Sequence, residues 1–425
     1  MFFLVITLVL GLLNWRAHRW LTSAFRLGKR AARAIAVVLG GSWLFTAAGR
    51  FASLVGYEWP DGIFVAAFAV QLAVLISVGL LLPYDLVRGA RGLYTRVGRG
   101  RVSSAASGQA SETTVPQQEE SLPPSTVPVE REAGAAFTRR EFAAQVAVGS
   151  AFLIGGGSAT YGALVGRHDY VVEEVPVRLP GLSRSFDGFS IVQLSDLHIG
   201  QFIQDAELAA AEALVRQARP DLIVLTGDLV DHDPRFAERL GRFARQLGPL
   251  ARYGVSAVSG NHDYYAGITP VLDALRRGGA RVLRNEAVVL GDLGAGIALL
   301  GVDDVRATRY PGERGPDLAR AVDSLPALGG RVSPARDLPR VLLCHNPVYF
   351  EAAQGQVGLQ LSGHTHGGQV NPLVRPADWV LRHGWIAGSY EAQGSHLYVN
   401  RGFGTAGPPA RVAAPPEVTR IVLTV

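Results

Sequence analysis

The sequence contains one cysteine, Cys344, and one lysine, Lys29, among 425 residues. A lone cysteine excludes an intrachain disulfide framework. Charged residues make up only 18% of the chain, whereas 48% of it is hydrophobic and the mean hydropathy is +0.18. This balance is too apolar for an ordinary soluble enzyme. Neither an internal repeat nor a dinucleotide-type glycine fingerprint is present, so repeat arrays and nucleotide-cofactor folds find no support.

Positive charge is concentrated near the N-terminus. Residues 1–100 contain eleven Arg and Lys against three acidic residues, a balance of +8, whereas the whole chain carries +5. Residues 101–425 therefore carry −3, the difference between these two values. Binding to a phosphate backbone requires cations clustered on the binding domain. We therefore expect no nucleic-acid partner.

Four apolar stretches approach the length of about 20 residues that a membrane-spanning helix needs. They cover residues 1–13, 31–48, 62–82 and 142–165. The first is short and spans only if its helix continues toward Trp15 and Trp20. Its alternative is a cleaved signal peptide, although a basic n-region and a small-residue cleavage site are missing. We predict about four transmembrane helices, and hence a membrane as a partner.

Arginines set the predicted orientation. They cluster between the first and second stretches and again after the third, and the positive-inside rule places both clusters in the cytoplasm. Arg139 and Arg140 open the fourth stretch, either as a positive-inside anchor or as an internal twin-arginine export signal. Both interpretations predict a multi-pass protein of the cell membrane with an extracytoplasmic C-terminal domain.

The predicted organisation has four parts. Residues 1–100 form a membrane domain with three transmembrane helices, and residues 101–137, rich in Ser, Gln, Glu, Pro and Thr, form a disordered linker. Residues 138–166 form the fourth helix with the twin-arginine start, and residues 167–425 form an α/β domain.

Alternating strand and helix patterns support the α/β assignment. Strands are predicted at residues 171–178, 189–194, 222–226, 256–259, 298–302, 341–344, 359–362, 397–400 and 420–425. Helices are predicted at residues 204–218, 237–246, 270–277 and 316–324.

Histidines and acidic residues follow several of these strands. The motifs are Asp196-Leu197-His198, Gly227-Asp228 with Asp231, Gly260-Asn261-His262-Asp263, His345, and Gly363-His364-Thr365-His366. Each motif alone is as easily explained by turn chemistry, but five in order behind apolar strands are not. Strand ends at one sheet edge converge, so these side chains are expected to meet there.

Imidazole and carboxylate donors without a thiolate suit Mn, Fe or Zn. The candidate metal ligands are Asp196, His198, Asp228, Asn261, His345, His364 and His366. Seven ligands are too many for one ion but suit two divalent ions that share a carboxylate. A two-metal site activates hydroxide and neutralises charge on a transferring phosphoryl group. The pattern therefore predicts phosphoester hydrolysis.

The motif series resembles the calcineurin-like metallophosphoesterase superfamily. Longer strings at residues 195–200, 363–369 and 415–418 resemble its bacterial membrane-associated, YkuE-type branch. The resemblance covers about residues 170–425 and implies a four-layer α-β-β-α sandwich, preceded here by the predicted transmembrane helices.

The resemblance also implies a dinuclear centre. One ion would be bound by Asp196, His198, Asp228 and His366, and the other by Asp228, Asn261, His345 and His364. His262 would protonate the leaving oxygen or stabilise the developing charge, with Asp263 orienting it. Asp231 would hold metal-bound histidines from behind. The implied reaction is in-line attack of metal-bound hydroxide on phosphorus.

The substrate is expected to be a phosphorylated small molecule, a lipid or a cell-wall compound. Five side chains either line a cleft for such a substrate or serve packing: Tyr264, Tyr265, Arg401, Phe403 and Arg411. Among the remaining histidines, only His232 is a candidate for the rim of the site. One alternative function is hydrolysis of a lipid-linked nucleotide-sugar pyrophosphate, which requires a cytoplasmic active site. The other is a non-catalytic membrane scaffold, which is expected to have lost metal ligands.

Overall fold

The computed structural model describes residues 2–54, 61–103, 138–326, 334–381 and 383–425. The predicted linker at residues 101–137 lies outside the described residues from position 104 onward, and its first three residues end a helix. The chain divides into two compact units. One comprises Met1–Trp43 with Ala73–Gly156, and the other comprises Leu44–Leu72 with Gly157–Val425.

Four long helices come first in the chain. They are α1 (Phe2–Ala24), α2 (Lys29–Leu54), α3 (Asp61–Ser103) and α4 (Arg139–Leu164). Within the described part of the chain, three segments are long and apolar enough to cross a membrane: Lys29–Gly49, Gly62–Ala90 and Arg139–His168. They coincide with the second, third and fourth predicted stretches. Helix α1 is not among these three candidates, and polar residues such as Asn14 and Arg16 occupy its second half.

The twin-arginine pair lies in the first turn of α4. The Glu141 carboxylate accepts a hydrogen bond from the Thr138 backbone N–H at 3.0 Å, and Thr138 Oγ1 accepts one from the Glu141 N–H at 3.2 Å. This reciprocal capping box satisfies two backbone donors that a helix start would otherwise leave unpaired. The sequence around Arg139 and Arg140 therefore has a structural role in starting α4.

The α/β part contains two six-stranded sheets, ordered β1-β12-β2-β3-β4-β5 and β10-β11-β9-β8-β7-β6. The strands are β1 (Val171–Arg178), β2 (Ser190–Leu194), β3 (Leu222–Thr226), β4 (Val255–Val258), β5 (Arg281–Val282), β6 (Glu286–Leu290), β7 (Ile297–Gly301), β8 (Arg340–Leu343), β9 (Leu359–Ser362), β10 (Gly388–Ala392), β11 (Ser395–Val399) and β12 (Glu417–Thr424). The helices are α5 (Asp205–Ala218), α6 (Ala237–Leu247), α7 (Asn261–Tyr265), α8 (Ile268–Arg277), α9 (Leu318–Asp323), α10 (Phe350–Ala353) and α11 (Ala377–Val380).

The two sheets face each other across a shared apolar core. Ile191 and Val224 of the first sheet and Leu299, Leu343 and Leu361 of the second are fully buried in one cluster. Their neighbours along each strand point to the opposite face, because side chains alternate along a strand. Those neighbours pack against α5, α6 and α8 outside the first sheet and against α9 and α10 outside the second. The layer order is thus helix, sheet, sheet, helix.

The innermost strands run parallel. Strand β2 pairs with β3 and β3 with β4 in the first sheet, while β7 pairs with β8 and β8 with β9 in the second. The loops after parallel strands leave each sheet at the same edge. The predicted strands at 171–178, 222–226 and 359–362 match β1, β3 and β9, and the other predicted strands are displaced by one to three residues at their ends. Strands β5, β6 and β10 were not predicted.

Replacing Leu343 with Ala should lower the free energy of unfolding by about 2–5 kcal/mol, because the lost methyl groups leave a cavity between the sheets. The matched control is Leu373→Ala, whose side chain is 64% exposed and should change stability by no more than about 0.5 kcal/mol. Urea denaturation of the purified chain measures both. Equal destabilisation by the two variants would contradict the shared core.

Candidate metal centre

The candidate ligands lie in turns with unusual backbone geometry. Five of them have a left-handed backbone conformation: Asp196 (φ 51°), His198 (φ 47°), Asp228 (φ 51°), His364 (φ 73°) and His366 (φ 52°). L-residues rarely adopt this conformation, and residues held in it cluster at functional sites. The tight turns after β2, β3 and β9 thereby bring side chains two positions apart to the same edge of the sheets.

Glycines make room for these turns. A Cβ at Gly260 would overlap the Asp228 backbone nitrogen and carboxylate, and a Cβ at Gly363 would overlap Ser195 and Asp196. Gly260 therefore allows close approach of two loops of the first sheet, and Gly363 allows close approach of loops from the two different sheets. The glycines of the Gly-Asn-His and Gly-His-Thr-His motifs serve close packing between loops.

One cluster of donor atoms contains Asp196, His198 and His366, all buried. The Nε2 atoms of His198 and His366 are 3.1 Å apart, and His366 Nε2 lies 3.4 Å from Asp196 Oδ1. Asp196 is held in place because both of its carboxylate oxygens accept the His364 N–H, each at 3.0 Å. Three ligand atoms from two loops thus converge on one point.

A second cluster contains Asp228, His345 and His364. His345 Nε2 lies 3.2 Å from Asp228 Oδ2 and 3.1 Å from His364 Nδ1. The same Asp228 Oδ2 is 3.8 Å from His198 Nε2 of the first cluster. One carboxylate oxygen therefore faces both clusters.

Asn261 supplies a further oxygen donor. Its side chain is only 3% exposed, and its Oδ1 is buried without a hydrogen-bond partner among the described residues. A buried carbonyl oxygen left unpaired is costly, so such an atom requires an explanation. A divalent cation is a suitable partner for an amide oxygen.

The ring of His345 is fixed in the orientation that metal binding needs. Its Nδ1 donates to the Thr226 carbonyl oxygen at 2.9 Å, which leaves Nε2 without a proton in the neutral ring. Histidines that bind metals commonly donate their other N–H to such an acceptor. The residues present therefore fit divalent cations, and imidazole with carboxylate suits Mn, Fe or Zn.

Proton affinities in these clusters are strongly perturbed. Burial alone raises the pKa of Asp228, but the rings of His345, His262 and His198 outweigh burial and hold that pKa well below its usual range. Burial lowers the pKa of His364 to about 3, with a smaller contribution from His345. Burial likewise holds the pKa of His366 well below its usual range. Both rings therefore stay neutral and offer lone pairs.

His262 lies beside the clusters. Its backbone N–H donates to Asp228 Oδ1 at 2.7 Å, and its Nδ1 is 2.8 Å from the Asp231 carbonyl oxygen and 3.2 Å from Asp231 Oδ1. Burial lowers the pKa of His262, but the carboxylates of Asp231 and Asp228 outweigh it and raise the pKa to about 9. His262 is thus held as a cation.

The expectation that Asp263 orients His262 is wrong. Asp263 Oδ1 accepts the backbone N–H groups of Leu229 and Val230 at 2.9 and 3.0 Å, and Oδ2 accepts the Gly260 N–H at 2.8 Å. Asp263 therefore ties two loops together, because as a residue in the first turn of α7 it faces the unpaired N–H groups there. Asp231 is the residue in contact with His262.

Asp231 contacts two further histidines. Its carboxylate lies 3.4 Å from His198 Nδ1 and 2.7 Å from His232 Nδ1. Asp231 thus lies against one candidate ligand histidine, His198. His232 is half exposed and lies at the rim through this contact.

The five expected cleft residues have different positions. Tyr264, Phe403 and Arg411 are buried, and Arg401 Nε pairs with Glu417 at 2.6 Å. Tyr265 alone among them is mainly exposed, at 44%, and its ring centroid is 5.0 Å from that of His262. Packing therefore accounts for four of the five.

Two residues near the clusters were not predicted in this role. The Arg411 guanidinium lies 3.2 Å from His366 Nδ1 and donates to backbone carbonyls such as Gly402 O at 2.9 Å. Asp304 is fully buried, and burial raises its pKa. Asp304 follows β7, so it could have been identified by the same search for acidic residues and histidines after predicted strands. Arg411 follows no strand directly and gave no such signal.

The calcineurin-like phosphoesterase family model matches residues 189–368, a range that includes all seven candidate ligands. The uncharacterized metallophosphoesterase YkuE of Bacillus subtilis is 30% identical over 299 residues, which cover 68% of this chain and 98% of that protein. Phosphodiesterase YaeI of Escherichia coli is 33% identical over 242 residues, 55% of this chain and 82% of that protein. A transmembrane protein with metallophosphoesterase domain from Danio rerio is 32% identical over 281 residues, 62% of this chain and 60% of that protein.

The similarity to the Bacillus protein extends over almost that protein's whole length, and the metal-ligand groups are clustered as the motifs require. The chain therefore belongs to the calcineurin-like metallophosphoesterase family, in its YkuE-type branch, and is a metal-dependent phosphoester hydrolase.

Proposed function

We propose that this chain is a membrane-anchored phosphoesterase with a dinuclear metal centre. One cation is held by Asp196, His198, Asp228 and His366, and the other by Asp228, Asn261, His345 and His364. The observation that carries the proposal is the position of Asp228 Oδ2 between the two clusters. This oxygen lies 3.2 Å from His345 Nε2 in the second cluster and 3.8 Å from His198 Nε2 in the first. The unpaired buried oxygen of Asn261 supports it.

Two bound divalent cations, Mn, Fe or Zn, would activate a water molecule and neutralise charge on the phosphoryl oxygens. The residues around them would position the substrate and supply a proton to the leaving oxygen. Asp231 occupies Nδ1 of His262, so only Nε2 is available to give a proton to the leaving oxygen. An imidazolium held this way is a suitable general acid.

Arg306 and Tyr265 form a polar edge beside His262. Arg306 Nη1 donates to the Tyr265 hydroxyl at 2.8 Å. Burial and His345 lower the pKa of His364 most, and Arg306 adds to this lowering, which supports a position of its charge near the centre. Arginine is well suited to contact phosphate oxygens. We assign this pair to binding the non-bridging oxygens or the aromatic part of a substrate.

The candidate membrane spans also bear on the location of the protein and on its substrate class. Three candidate spans, with α1 as a proposed fourth, make the chain a multi-pass membrane protein with the domain boundaries predicted at residues 100, 137 and 166. Arginine placement supports a catalytic domain on the extracytoplasmic side. A phosphorylated lipid or a cell-wall compound is the substrate class that this location favours.

Asp228→Asn should reduce the metal content of the purified chain from two equivalents to one or none, and hydrolysis of an aryl phosphodiester or monoester should be lost. The amide keeps the side-chain shape but removes the negative charge shared by both clusters. Metal analysis by mass spectrometry, with activity measured on the same samples, tests this. Asp323→Asn, at a 68% exposed side chain, is the matched control. Two retained equivalents in Asp228→Asn would refute the shared ligand.

His262→Ala should lower kcat by about 10²–10⁴-fold on an ester with a poor leaving group, because proton donation is then needed. The loss should be much smaller with a nitrophenolate leaving group, which departs without a proton. Asp231→Asn should show the same dependence on the leaving group, with an overall loss of about 10–100-fold. Asp263→Asn is the control, since it should destabilise the loops without changing that dependence. A uniform loss in His262→Ala would contradict the general-acid role.

A reporter fused after Val425 should be active if it is alkaline phosphatase and dark if it is green fluorescent protein, because the C-terminal domain is assigned to the extracytoplasmic side. A second fusion after Ser103 should give the opposite result, since the arginine-rich end of α3 is assigned to the cytoplasm. A fluorescent C-terminal fusion would reverse the topology and favour hydrolysis of a lipid-linked nucleotide-sugar pyrophosphate in the cytoplasm.

A further inference from the structure

Residues 372–381, here named the apolar segment, expose an unusual number of large hydrophobic side chains. Leu373 is 64% exposed, Val374 53%, Trp379 75% and Val380 75%. Among the described residues from 170 onward, the other exposed large hydrophobics are Val172, Tyr265 and Val425. Four of these seven side chains thus lie within eight consecutive residues. Such a concentration on a protein surface marks an interaction site.

The charges within the apolar segment neutralise each other. Arg375 Nε donates to Asp378 Oδ1 at 2.8 Å. Trp379 and Val380 lie in the short helix α11 directly after this pair. A tryptophan among aliphatic side chains, with its nearby charges paired, is typical of segments that lie in the lipid–water interface.

Backbone hydrogen bonds connect the apolar segment to the end of a candidate membrane span. Asn371 N donates to Val412 O and Val412 N to Gln369 O, both at 2.9 Å, and Arg411 N donates to Gly162 O at 3.0 Å. Gly162 lies in α4, within the candidate span Arg139–His168. The apolar segment begins one residue after Asn371, so it starts beside the end of this span.

The contact with α4 is close because α4 has glycines there. A Cβ at Gly162 would lie 2.7 Å from Val412 Cγ2, and a Cβ at Gly166 would overlap the Arg411 carbonyl oxygen. The chain segment at residues 410–412 therefore packs directly on the helix backbone. This arrangement fixes the apolar segment relative to the end of α4.

A second candidate span also contacts the α/β part of the chain. The ring of Phe202 lies 5.9 Å from that of Phe64, between centroids, and Phe64 is near the start of the candidate span Gly62–Ala90. The start of α3 and the end of α4 are predicted to be on the same side of the membrane. Phe202 follows His198 by four residues, and the apolar segment follows His366 by six.

We infer that the apolar segment lies in the lipid interface beside α4, where Leu373, Val374, Trp379 and Val380 insert among the lipid headgroups and upper acyl chains. The occupant of this surface is the bilayer that holds the protein's own spans. The inference rests on the membrane part of the proposed function and not on its metal chemistry. The loops that carry His198 and His366 are then held at the bilayer surface, where an amphiphilic phosphoester is presented.

Single-cysteine labelling of the full chain tests this placement. Cys344 is buried, and Cys344→Ala provides a background without other thiols. An environment-sensitive fluorophore is attached at Trp379→Cys, at Leu153→Cys in α4, and at Glu238→Cys in α6. Leu153 is 77% exposed and reports the membrane span, while the Glu238 side chain is 71% exposed and reports water. Each protein is reconstituted in lipid nanodiscs containing doxyl-labelled lipid.

The Trp379 probe should be blue-shifted and quenched, more strongly by a doxyl group near the headgroup than by one deep in the acyl chain. The Leu153 probe should be quenched by the deep group, and the Glu238 probe by neither. A Leu153 probe that is quenched while the Trp379 probe behaves like the Glu238 probe overturns the inference alone. Absence of quenching at Leu153 overturns the proposed membrane span instead.

A kinetic measurement adds a second readout. The double variant Trp379→Asp, Val380→Asp should raise KM several-fold for an amphiphilic phosphoester in mixed micelles and leave kcat/KM for a water-soluble aryl ester unchanged. Equal effects on both substrates would show that the variant disturbs the metal centre, and no effect on either would contradict a role at the lipid surface.

Discussion

The Asp228 carboxylate is the interaction on which the site depends. It is buried, and ring nitrogens of His345 and His198 approach the same oxygen from the two sides. Burying a carboxylate without a compensating positive charge costs several kcal/mol of stability. The rings of His364 and His366 are neutral and contribute no such charge. Divalent cations satisfy the carboxylate, the ring lone pairs and the Asn261 oxygen together. The loops around Asp228 therefore present a set of donors suited to divalent cations.

The fold supplies the rigidity that this arrangement needs. Left-handed backbone at five ligand positions costs about 1–3 kcal/mol for each residue, so the turns persist only if their surroundings impose them. The strands before them, β2, β3 and β9, are buried along their whole length. Asp263 adds two hydrogen bonds between the loops after β3 and β4 and a third within the loop after β4. The buried parallel strands thus stabilise the strained turns, and these turns orient the ligand side chains.

Sequence patterns predicted the inner strands and the clustered ligand groups because both depend on strong local signals. The unpredicted strands β5, β6 and β10 are edge strands. Strand β5 has only two residues and β10 alternates half-buried with exposed positions, so their sequence signals are weak, whereas the apolar run at residues 287–290 of β6 was not recognised as a strand. Adjacency in sequence suggested Asp263 as the partner of His262, but α7 turns Asp263 toward its own first turn. Asp231 arrives from a different loop, and only the folded arrangement brings it to His262. Arg411 likewise lies 45 residues from His366.

The loop before β12 connects the clustered ligand groups to the end of α4. Gly402 and Gly404 pack so closely on the Asp196–Leu197 turn that a Cβ at either would overlap it. Farther along the same loop, Arg411 contacts His366 through its guanidinium and the carbonyl of Gly162 in α4 through its backbone N–H. Arg411 therefore contacts both the end of α4 and the His366 ring. Its guanidinium also donates to carbonyls of its own loop, so these contacts form one buried, hydrogen-bonded network. The end of α4 and the cluster of Asp196, His198 and His366 are thus joined through one buried arginine, which packs behind the His366 ring.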